Sequence, residues 1–352
     1  MKLDGPRELI AAHGEDEESG TESEDAEEDV IHQEYEPLEE SIYGFAVSMI
    51  IRDTVWISAG TNMPLVRAAR VLNSFVLIAC VITLQVFLLF AVSRLLSAPA
   101  VLEIRETYSD YEELMYPNHT FLTVNGFKRG VPGFRVDDNF RKMDKHTARK
   151  VCEVPLSHPF YLMSILFIWT MTCQIELRAI FETTMRLLWS TPMVHSNAEV
   201  VEPGEGEEEH CVEVRGLTPF MKFVIGVLVL LPRTLTLIAL LYLGCRWLTA
   251  TLGLGDVLLN GLALEFLVLL KELLYNVTVS HRNRVDTQRL LIRPFRDVNK
   301  ATFCTFFDSQ AWAILSAAWA WVYVYHVQMV LPHYGWDLAA MCKKYLPVGP
   351  LF

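Results

Sequence analysis

The stretch that decides the fold is residues 71–92, VLNSFVLIACVITLQVFLLFAV, a run of 22 residues without a charge. At about 1.5 Å of rise per residue, a helix of this length crosses the ~30 Å hydrocarbon core of a bilayer. Arg67 and Arg70 precede the run, and Arg94 follows it. The pattern predicts a transmembrane helix and therefore an integral membrane protein.

Further apolar runs follow along the chain, and they predict an all-α integral membrane protein with a helical bundle of five transmembrane helices. Four crossings remain the alternative, because residues 254–275 are apolar but carry several charges. The predicted segments are a disordered acidic tail (1–40), an interfacial amphipathic segment (41–70), a first span (71–95), an outer loop domain (96–158), a second span with a helical extension (159–193), an acidic linker (194–218), a third span (219–248), a fourth span (254–275), a basic loop (276–310), a fifth span (311–331) and a C-terminal tail (332–352).

The negative charge of the chain is concentrated in its first 40 residues. The formal net charge is −12, whereas residues 1–40 contain 16 acidic and two basic residues, a net charge of −14, so the rest carries about +2. Such a tail repels itself and buries no apolar surface, and we expect it to be disordered. It is either a solvated tail or a docking segment for a basic protein partner, and we expect no nucleic-acid partner.

The distribution of basic residues predicts the orientation. Arg52, Arg67 and Arg70 precede the first span, which places the N-terminus in the cytosol by the positive-inside rule. The loop 96–158 is then exported, and its sequon at Asn118 becomes accessible to glycosylation. The membrane is expected to be the plasma membrane or an endomembrane.

The number of crossings decides what else faces outward. With five crossings, Cys152 and Cys342 share an oxidising compartment and could form a disulfide. With four crossings, the basic loop 276–310 and a second sequon at Asn276 would lie outside. Five crossings are favoured because a basic loop is retained in the cytosol.

No motif in the chain identifies an enzyme. HExxH, GxSxG and GxxxxGK[ST] are missing, and Gly253-Leu254-Gly255 lacks the third glycine of a dinucleotide fingerprint. The seven cysteines show neither CxxC nor another metal-ligand spacing. We therefore expect no catalytic residues, no cofactor and no metal site.

Charges inside the predicted spans are the functional candidates, because an ionisable group at mid-membrane costs about 2.5–3.5 kcal/mol. Glu265 lies near the centre of the fourth span and Arg233 near the centre of the third. If these spans form a hairpin about residue 250, the two residues differ in depth by about three positions, roughly 4.5 Å. They are expected either to lock the hairpin as a buried ion pair or to serve an ion or proton path.

The fourth span has two polar stripes. At 100° per residue, Asp256, Asn260 and Lys271 share one side of the helix, and Glu265 and Glu272 share the other. Opposed stripes indicate a helix buried among others. The leading hypothesis is conduction or transport of a small ion, with a small cation as the expected partner, past the path and gating candidates Glu265, Arg233, Asp256, Asn260 and Lys271. The alternative is a non-transporting scaffold or receptor-like protein that binds partners through its acidic tail and outer loop.

Residues 251–256, TLGLGD, resemble the T-x-G-x-G-D filter of potassium channels. The resemblance implies that backbone carbonyls of Thr251–Gly255 would coordinate a dehydrated ion, with Asp256 as an outer acid. The surroundings differ from that family, since no turret loop precedes the motif and the apolar run resumes at Val257. The other interpretation is a glycine-containing turn between two helices, with Asp256 as the N-cap or first-turn acid of the second helix.

Residues 254–266, LGDVLLNGLALEF, with KELL at 271–274, are similar to a segment of uncharacterised multi-pass membrane proteins of unicellular algae and related protists. The similarity covers about 25 residues and the general layout. It implies a shared fold and no particular activity.

Overall fold

The computed structural model describes residues 35–60, 63–203, 211–295 and 303–345. All of these belong to one compact unit, Glu34–Phe352. Most of the predicted acidic tail, the acidic centre of the 194–218 linker, part of the basic loop and the last seven residues lie outside the described residues.

Helices make up most of the described chain. They are α1 Ile42–Ser58, α2 Pro64–Ala91, α3 Ala98–Met115, α4 Lys145–Cys152, α5 Pro159–Thr184, α6 Pro219–Ile225, α7 Leu231–Ala250, α8 Leu254–Thr278, α9 His281–Gln288, α10 Phe303–Val322 and α11 Leu338–Tyr345. Short π-helical segments, Val92–Ser97 and Gly226–Leu230, join α2 to α3 and α6 to α7 without a break, and two others, Met185–Ser190 and Tyr323–Val327, extend α5 and α10.

Three continuous helical stretches among the described residues are long and apolar enough to cross a membrane: Pro64–Met115, Pro159–Ser190 and Pro219–Ala250. Each begins with proline at a first-turn position, where the missing N–H costs nothing and the fixed φ suits a helix. Less than about a third of the most apolar window of each stretch is buried by the protein itself. The apolar outer faces of these helices are therefore not covered by the part of the chain that the structure describes.

Proline also explains one irregularity. Pro232 lies two residues after Leu230, the last residue of the π-helical segment Gly226–Leu230. A proline inside a helix cannot donate its backbone hydrogen bond and crowds the preceding turn, which the π-helical segment accommodates. The predicted interruption of the third span near Pro232 therefore takes the form of a π-helical turn in a continuous helix.

Six short strands form two sheets at different places in the fold. Strands β1 Glu36–Pro37, β4 Val201–Pro203, β5 Val212–Val214 and β6 Leu290–Ile292 form a sheet of order β1-β6-β5-β4, in which β5 and β6 are parallel and the other pairs antiparallel. Strands β2 Thr120–Leu122 and β3 Lys128–Gly130 form a hairpin. The four-stranded sheet joins the segment before α1 to the 194–218 and 276–310 segments, and its position is called the sheet end.

The opposite end of the bundle is closed by a disulfide between Cys152, just before α5, and Cys342 in α11. Tyr111 of α3 donates a hydrogen bond of 2.9 Å to Asp337, and the Arg105 guanidinium donates 2.8 Å to the Val330 carbonyl. The 98–158 and 328–345 segments are thus one folded layer, called the disulfide end. Asn118, the predicted glycosylation site, is exposed there at a left-handed φ of 63°.

Helix α1 differs from the expected surface-lying segment, because the residues from Ile42 to Ile51 are all buried. The Ser41 hydroxyl caps the helix by accepting a 3.1 Å hydrogen bond from the Gly44 backbone. At the other end, Arg52 and Asp286 of α9 form a 2.7 Å ion pair. Helix α1 is in contact with α2, α6, α8 and α9. Because neighbours surround it, apolar residues occur on all its sides and it is not amphipathic.

The buried apolar residues form two separate cores. One fills the disulfide end and the adjacent half of the bundle, and includes Leu237, Leu240 and Leu264. The other surrounds α1 at the sheet end and includes Tyr43 and Leu230. Helix α7 passes from one core to the other between Leu230 and Leu237, and this boundary contains the charged residue Arg233.

Candidate functional site

Four charged side chains meet at the boundary between the two cores. The Arg233 guanidinium donates two hydrogen bonds to Glu39, of 3.0 and 3.2 Å, and a third of 3.3 Å to Glu176. The Lys271 ammonium donates to the same Glu176 oxygen and lies 3.9 Å from Glu39. These four residues, named here the charge cluster, contain two acids and two bases, so their formal charges cancel.

Each member of the charge cluster comes from a different part of the chain. Glu39 precedes α1, Glu176 lies in α5, Arg233 in α7 and Lys271 in α8. The side chains of Arg233 and Lys271 are 4% and 6% exposed, which makes them buried cations. Removing one partner from such a buried pair leaves an uncompensated charge and costs about 3–5 kcal/mol. The charge cluster therefore links the segment before α1 to helices α5, α7 and α8.

A small cavity adjoins the charge cluster. Its walls are the residues Tyr43, Gln85, Leu88, Leu89, Glu176, Ile180, Arg233, Thr236, Leu237, Leu240, Leu267, Val268 and Lys271. The Tyr43 ring lies 4.6 Å below the Arg233 guanidinium carbon, and its hydroxyl donates a 3.2 Å hydrogen bond to Gln85. The volume of about 40 Å³ holds about three waters, given ~10–15 Å³ for each. A water or a small ion fits this cavity.

A larger opening lies at the disulfide end, between α3, α4 and the start of α8. This vestibule has a volume of about 780 Å³ and contains both Asp256 and Asn260. Asn260 donates a 2.9 Å hydrogen bond to the Thr251 hydroxyl. Asp256 is exposed and has no ion-pair partner among the described residues.

The other charges of the vestibule are paired. Lys150 binds Glu103 at 2.8 Å, and Arg149 binds Glu153 at 3.0 Å. With these pairs neutral, the unpaired carboxylate of Asp256 leaves the vestibule with an excess negative charge. The vestibule is therefore suited to attract cations.

The charge cluster and the vestibule are separated by apolar side chains. Asn260 and Lys271 lie 11 residues apart on α8, about 16 Å along the helix. Between these depths α7 and α8 bury the leucine and valine side chains of an apolar layer, defined as Leu240, Leu243, Leu264 and Val268. Four of the five predicted path residues thus fall into two polar sites with an apolar layer between them, namely Asp256 with Asn260 and Arg233 with Lys271.

The expected pair of Arg233 with Glu265 is wrong. Arg233 binds Glu39 and Glu176, while Glu265 is exposed on the outer face of α8. The depth argument was sound, but Glu265 lies ~120° around α8 from the buried Lys271. Of the two predicted stripes, Asn260 and Lys271 face the bundle, and Glu265 with Glu272 faces outward.

The TLGLGD motif forms the turn between α7 and α8. Thr251, Leu252 and Gly253 connect the helices, and Asp256 lies in the first turn of α8, where an acid is stabilised by the helix dipole. Gly253 has φ of 89°, a left-handed conformation that favours glycine. Its N–H donates a 3.2 Å hydrogen bond to the Glu153 carbonyl.

Sequence reasoning missed Glu39, Glu176, Tyr43 and Gln85. Glu39 was assigned to the acidic tail, and its position gives no local signal of burial. Glu176 could have been found, because it follows an uncharged run in α5 and must be accommodated inside or beside the bundle. Its partners, more than 50 residues away, could not be read from local spacing.

The disulfide end contains a second buried polar network, on α3 and the segments that pack against it. Burial raises the pKa of the Glu112 carboxyl, which accepts a hydrogen bond from the Gly130 backbone. Burial also raises the pKa of the Tyr108 and Tyr111 hydroxyls, which donate to Asp337 at 3.3 and 2.9 Å. These contacts attach the C-terminal segment to α3 and position the wall of the vestibule.

Among the described residues no group of three or more His, Cys, Asp or Glu side chains is arranged to hold a metal ion. Comparison of the chain with protein-family models, with curated proteins and with solved structures finds no match.

Proposed function

We propose that this chain is an integral membrane protein of five crossings that passes a small cation between the vestibule and the charge cluster. The observation that carries the proposal is the charge cluster itself. Three of its four groups, Glu176, Arg233 and Lys271, line the cavity of about 40 Å³, and they lie in helices whose outer faces are apolar. Mid-membrane charges of this kind are functional candidates by default.

The five crossings are α2, α5, α6 with α7, α8 and α10. The sheet end collects the loops that would be cytosolic, and the disulfide end collects those that would face the oxidising side. Arg52, Arg67 and Arg70 lie at the sheet end, in agreement with the positive-inside rule. The N-terminus is then cytosolic, and Asn118 is on the side where glycosylation occurs.

The apolar layer acts as a closed gate in this proposal. A constriction of leucine and valine side chains excludes water, and an ion cannot cross it until it widens or is hydrated. The excess negative charge of the vestibule selects cations, and the 40 Å³ cavity limits the ion to a small one or to a proton carried by water. The charge cluster is the cation-binding site on the cytosolic side of the gate. There Glu39 and Glu176 can release Arg233 or Lys271 and bind the passing cation instead.

The test is a leak introduced at the gate. The variant Leu264→Ser places a hydroxyl in the apolar layer, and we expect it to raise flux of H⁺, Na⁺ or K⁺ in proteoliposomes above that of the wild type. The matched control is Leu235→Ser, because Leu235 lies on the exposed face of the neighbouring helix α7. Equal flux for both variants and empty liposomes would contradict the proposal.

The charge cluster is tested with a neutral double variant. Glu176→Gln with Lys271→Gln removes one charge of each sign, leaves the Arg233–Glu39 pair, and should abolish the leak of Leu264→Ser. The matched control is Arg178→Gln with Glu182→Gln, which neutralises an exposed ion pair of 2.8 Å on the same helix α5. If the leak survives in the cluster variant, the charge cluster is not part of the path.

A non-transporting scaffold or receptor is the second candidate, favoured by a groove at the disulfide end. The groove has a volume of about 1420 Å³ and is lined on one side by α4 and α11, with Phe140, Lys145 and Lys343 among its residues. In that case flux is absent in all variants, and a protein partner bound in the groove is lost on Lys343→Glu. Deletion of residues 1–33, which leaves β1 intact, tests the acidic tail separately.

A further inference from the structure

Glu265 is a charge on an apolar surface. It is exposed on α8, and the neighbouring positions Leu262, Phe266 and Leu269 are exposed as well. No ion-pair partner for it is present among the described residues. If α8 crosses the membrane, as the proposed function requires, this carboxylate faces lipid, where an unpaired charge costs about 2.5–3.5 kcal/mol.

A charge of opposite sign lies on the neighbouring helix. Arg94 is exposed in the π-helical segment that follows α2, with its guanidinium carbon 5.7 Å from the Phe90 ring. The adjacent Leu95 and Leu96 are also exposed, and no acidic partner for Arg94 is present in the described part of the chain. Helices α2 and α8 contact each other, and the segment with Arg94 continues α2 without a break.

Arg94 and Glu265 are at nearly the same depth. Leu89 of α2 and Leu267 of α8 line the same small cavity, which sets a common level for the two helices. Towards the disulfide end, Arg94 lies five residues beyond Leu89, about 7.5 Å, and Glu265 two residues beyond Leu267, about 3 Å. The difference of about 4.5 Å is within the reach of an arginine side chain.

We propose that the face formed by α2 and α8 binds a second copy of this chain. In a dimer with a twofold axis along the membrane normal, residues at equal depth meet, and a contact from one copy is repeated by the other. Arg94 then pairs with Glu265 of the partner copy, twice in each dimer, while the leucine and phenylalanine side chains around them pack together. The occupant is a second copy because one chain presents both halves of a complementary charge pair at one level.

The experiment measures the mass of the full chain in lipid nanodiscs, by native mass spectrometry. The wild type should give twice the chain mass of 40.2 kDa. Arg94→Glu and Glu265→Arg should each give 40.2 kDa, because like charges would meet across the axis. The double reversal restores opposite charges and should restore the dimer, which also shows that the single variants are not merely misfolded.

Three results would overturn the dimer: a monomeric wild type, a dimer that survives each single reversal, or a double reversal that stays monomeric. Membrane insertion is measured separately, by extraction of cell membranes with alkaline carbonate. If carbonate releases the wild type, both the membrane assignment and the dimer are wrong. If the wild type is retained but monomeric, only the dimer is wrong.

Discussion

The energetic role of the charge cluster can be measured with a double-mutant cycle on Glu176 and Lys271. Lys271→Gln leaves two carboxylates, Glu39 and Glu176, sharing the single guanidinium of Arg233. Glu176→Gln leaves two cations sharing Glu39. Each single variant leaves an uncompensated buried charge and should lose about 3–5 kcal/mol of unfolding free energy.

The double variant keeps the two-bonded Arg233–Glu39 pair and has no net charge, so it should lose less than either single variant. If each single change costs about 3 kcal/mol or more, the coupling energy is at least about 3 kcal/mol. The assay is unfolding in mixed micelles by titration with sodium dodecyl sulfate, followed by circular dichroism. Costs that add to within about 0.5 kcal/mol would refute the account of a closed, mutually compensated cluster.

Three further predictions concern the rest of the fold. Burial raises the pKa of Glu112 above its ordinary 4.5, so this group contributes stability that is complete below pH 4.5 and is lost as pH rises through the folded pKa; Glu112→Gln should remove this loss, measured as Tm between pH 4.5 and 8. Gly244→Ala should lower the free energy of unfolding by about 1–3 kcal/mol, because the added Cβ would lie 2.4 Å from the Trp169 ring. At Gly255 an added Cβ meets open space, so Gly255→Ala should be neutral or stabilising. Thermal unfolding of both variants measures the difference. Cys152→Ser opens a disulfide across 190 residues and should lower Tm by removing up to about 5 kcal/mol, and a reductant should lower the wild type to the same Tm without affecting the variant.

The helices could be predicted from the sequence because their signals are local. The uncharged run 71–92 lies within the helical stretch Pro64–Met115, and the apolar runs after Pro159 and Pro219 begin helices at those prolines. Composition alone is enough for these elements, since apolar length and a proline at the first turn are read directly. The count of five crossings depends on α8 and α10 as well and stays a prediction.

Contacts between distant segments could not be predicted in the same way. Depth along a helix follows from residue number, which is why Arg233 and Lys271 were found among the candidates. Direction around the helix depends on which neighbours pack against it, and this placed Glu265 on the outer face of α8. Glu39 precedes α1, and its half-buried position beside Arg233 depends on contacts with distant segments. The buried α1 shows the same limit, because an apolar helix of 17 residues fits either an interface or an interior.

The two ends of the bundle are closed by the first and last parts of the described chain. Strand β1 at residues 36–37 pairs with β6 at 290–292, and Cys152 bonds to Cys342. During synthesis more than 250 residues are added after strand β1 before its partner β6 leaves the ribosome. Cys342 is synthesised 190 residues after Cys152. Helices α2, α5, α7 and α8 are therefore synthesised before either closure can form. Until both closures form, the newly made chain exposes a free thiol and an unpaired edge strand. A reductase or a chaperone that recognises these features could therefore control how much of the protein matures.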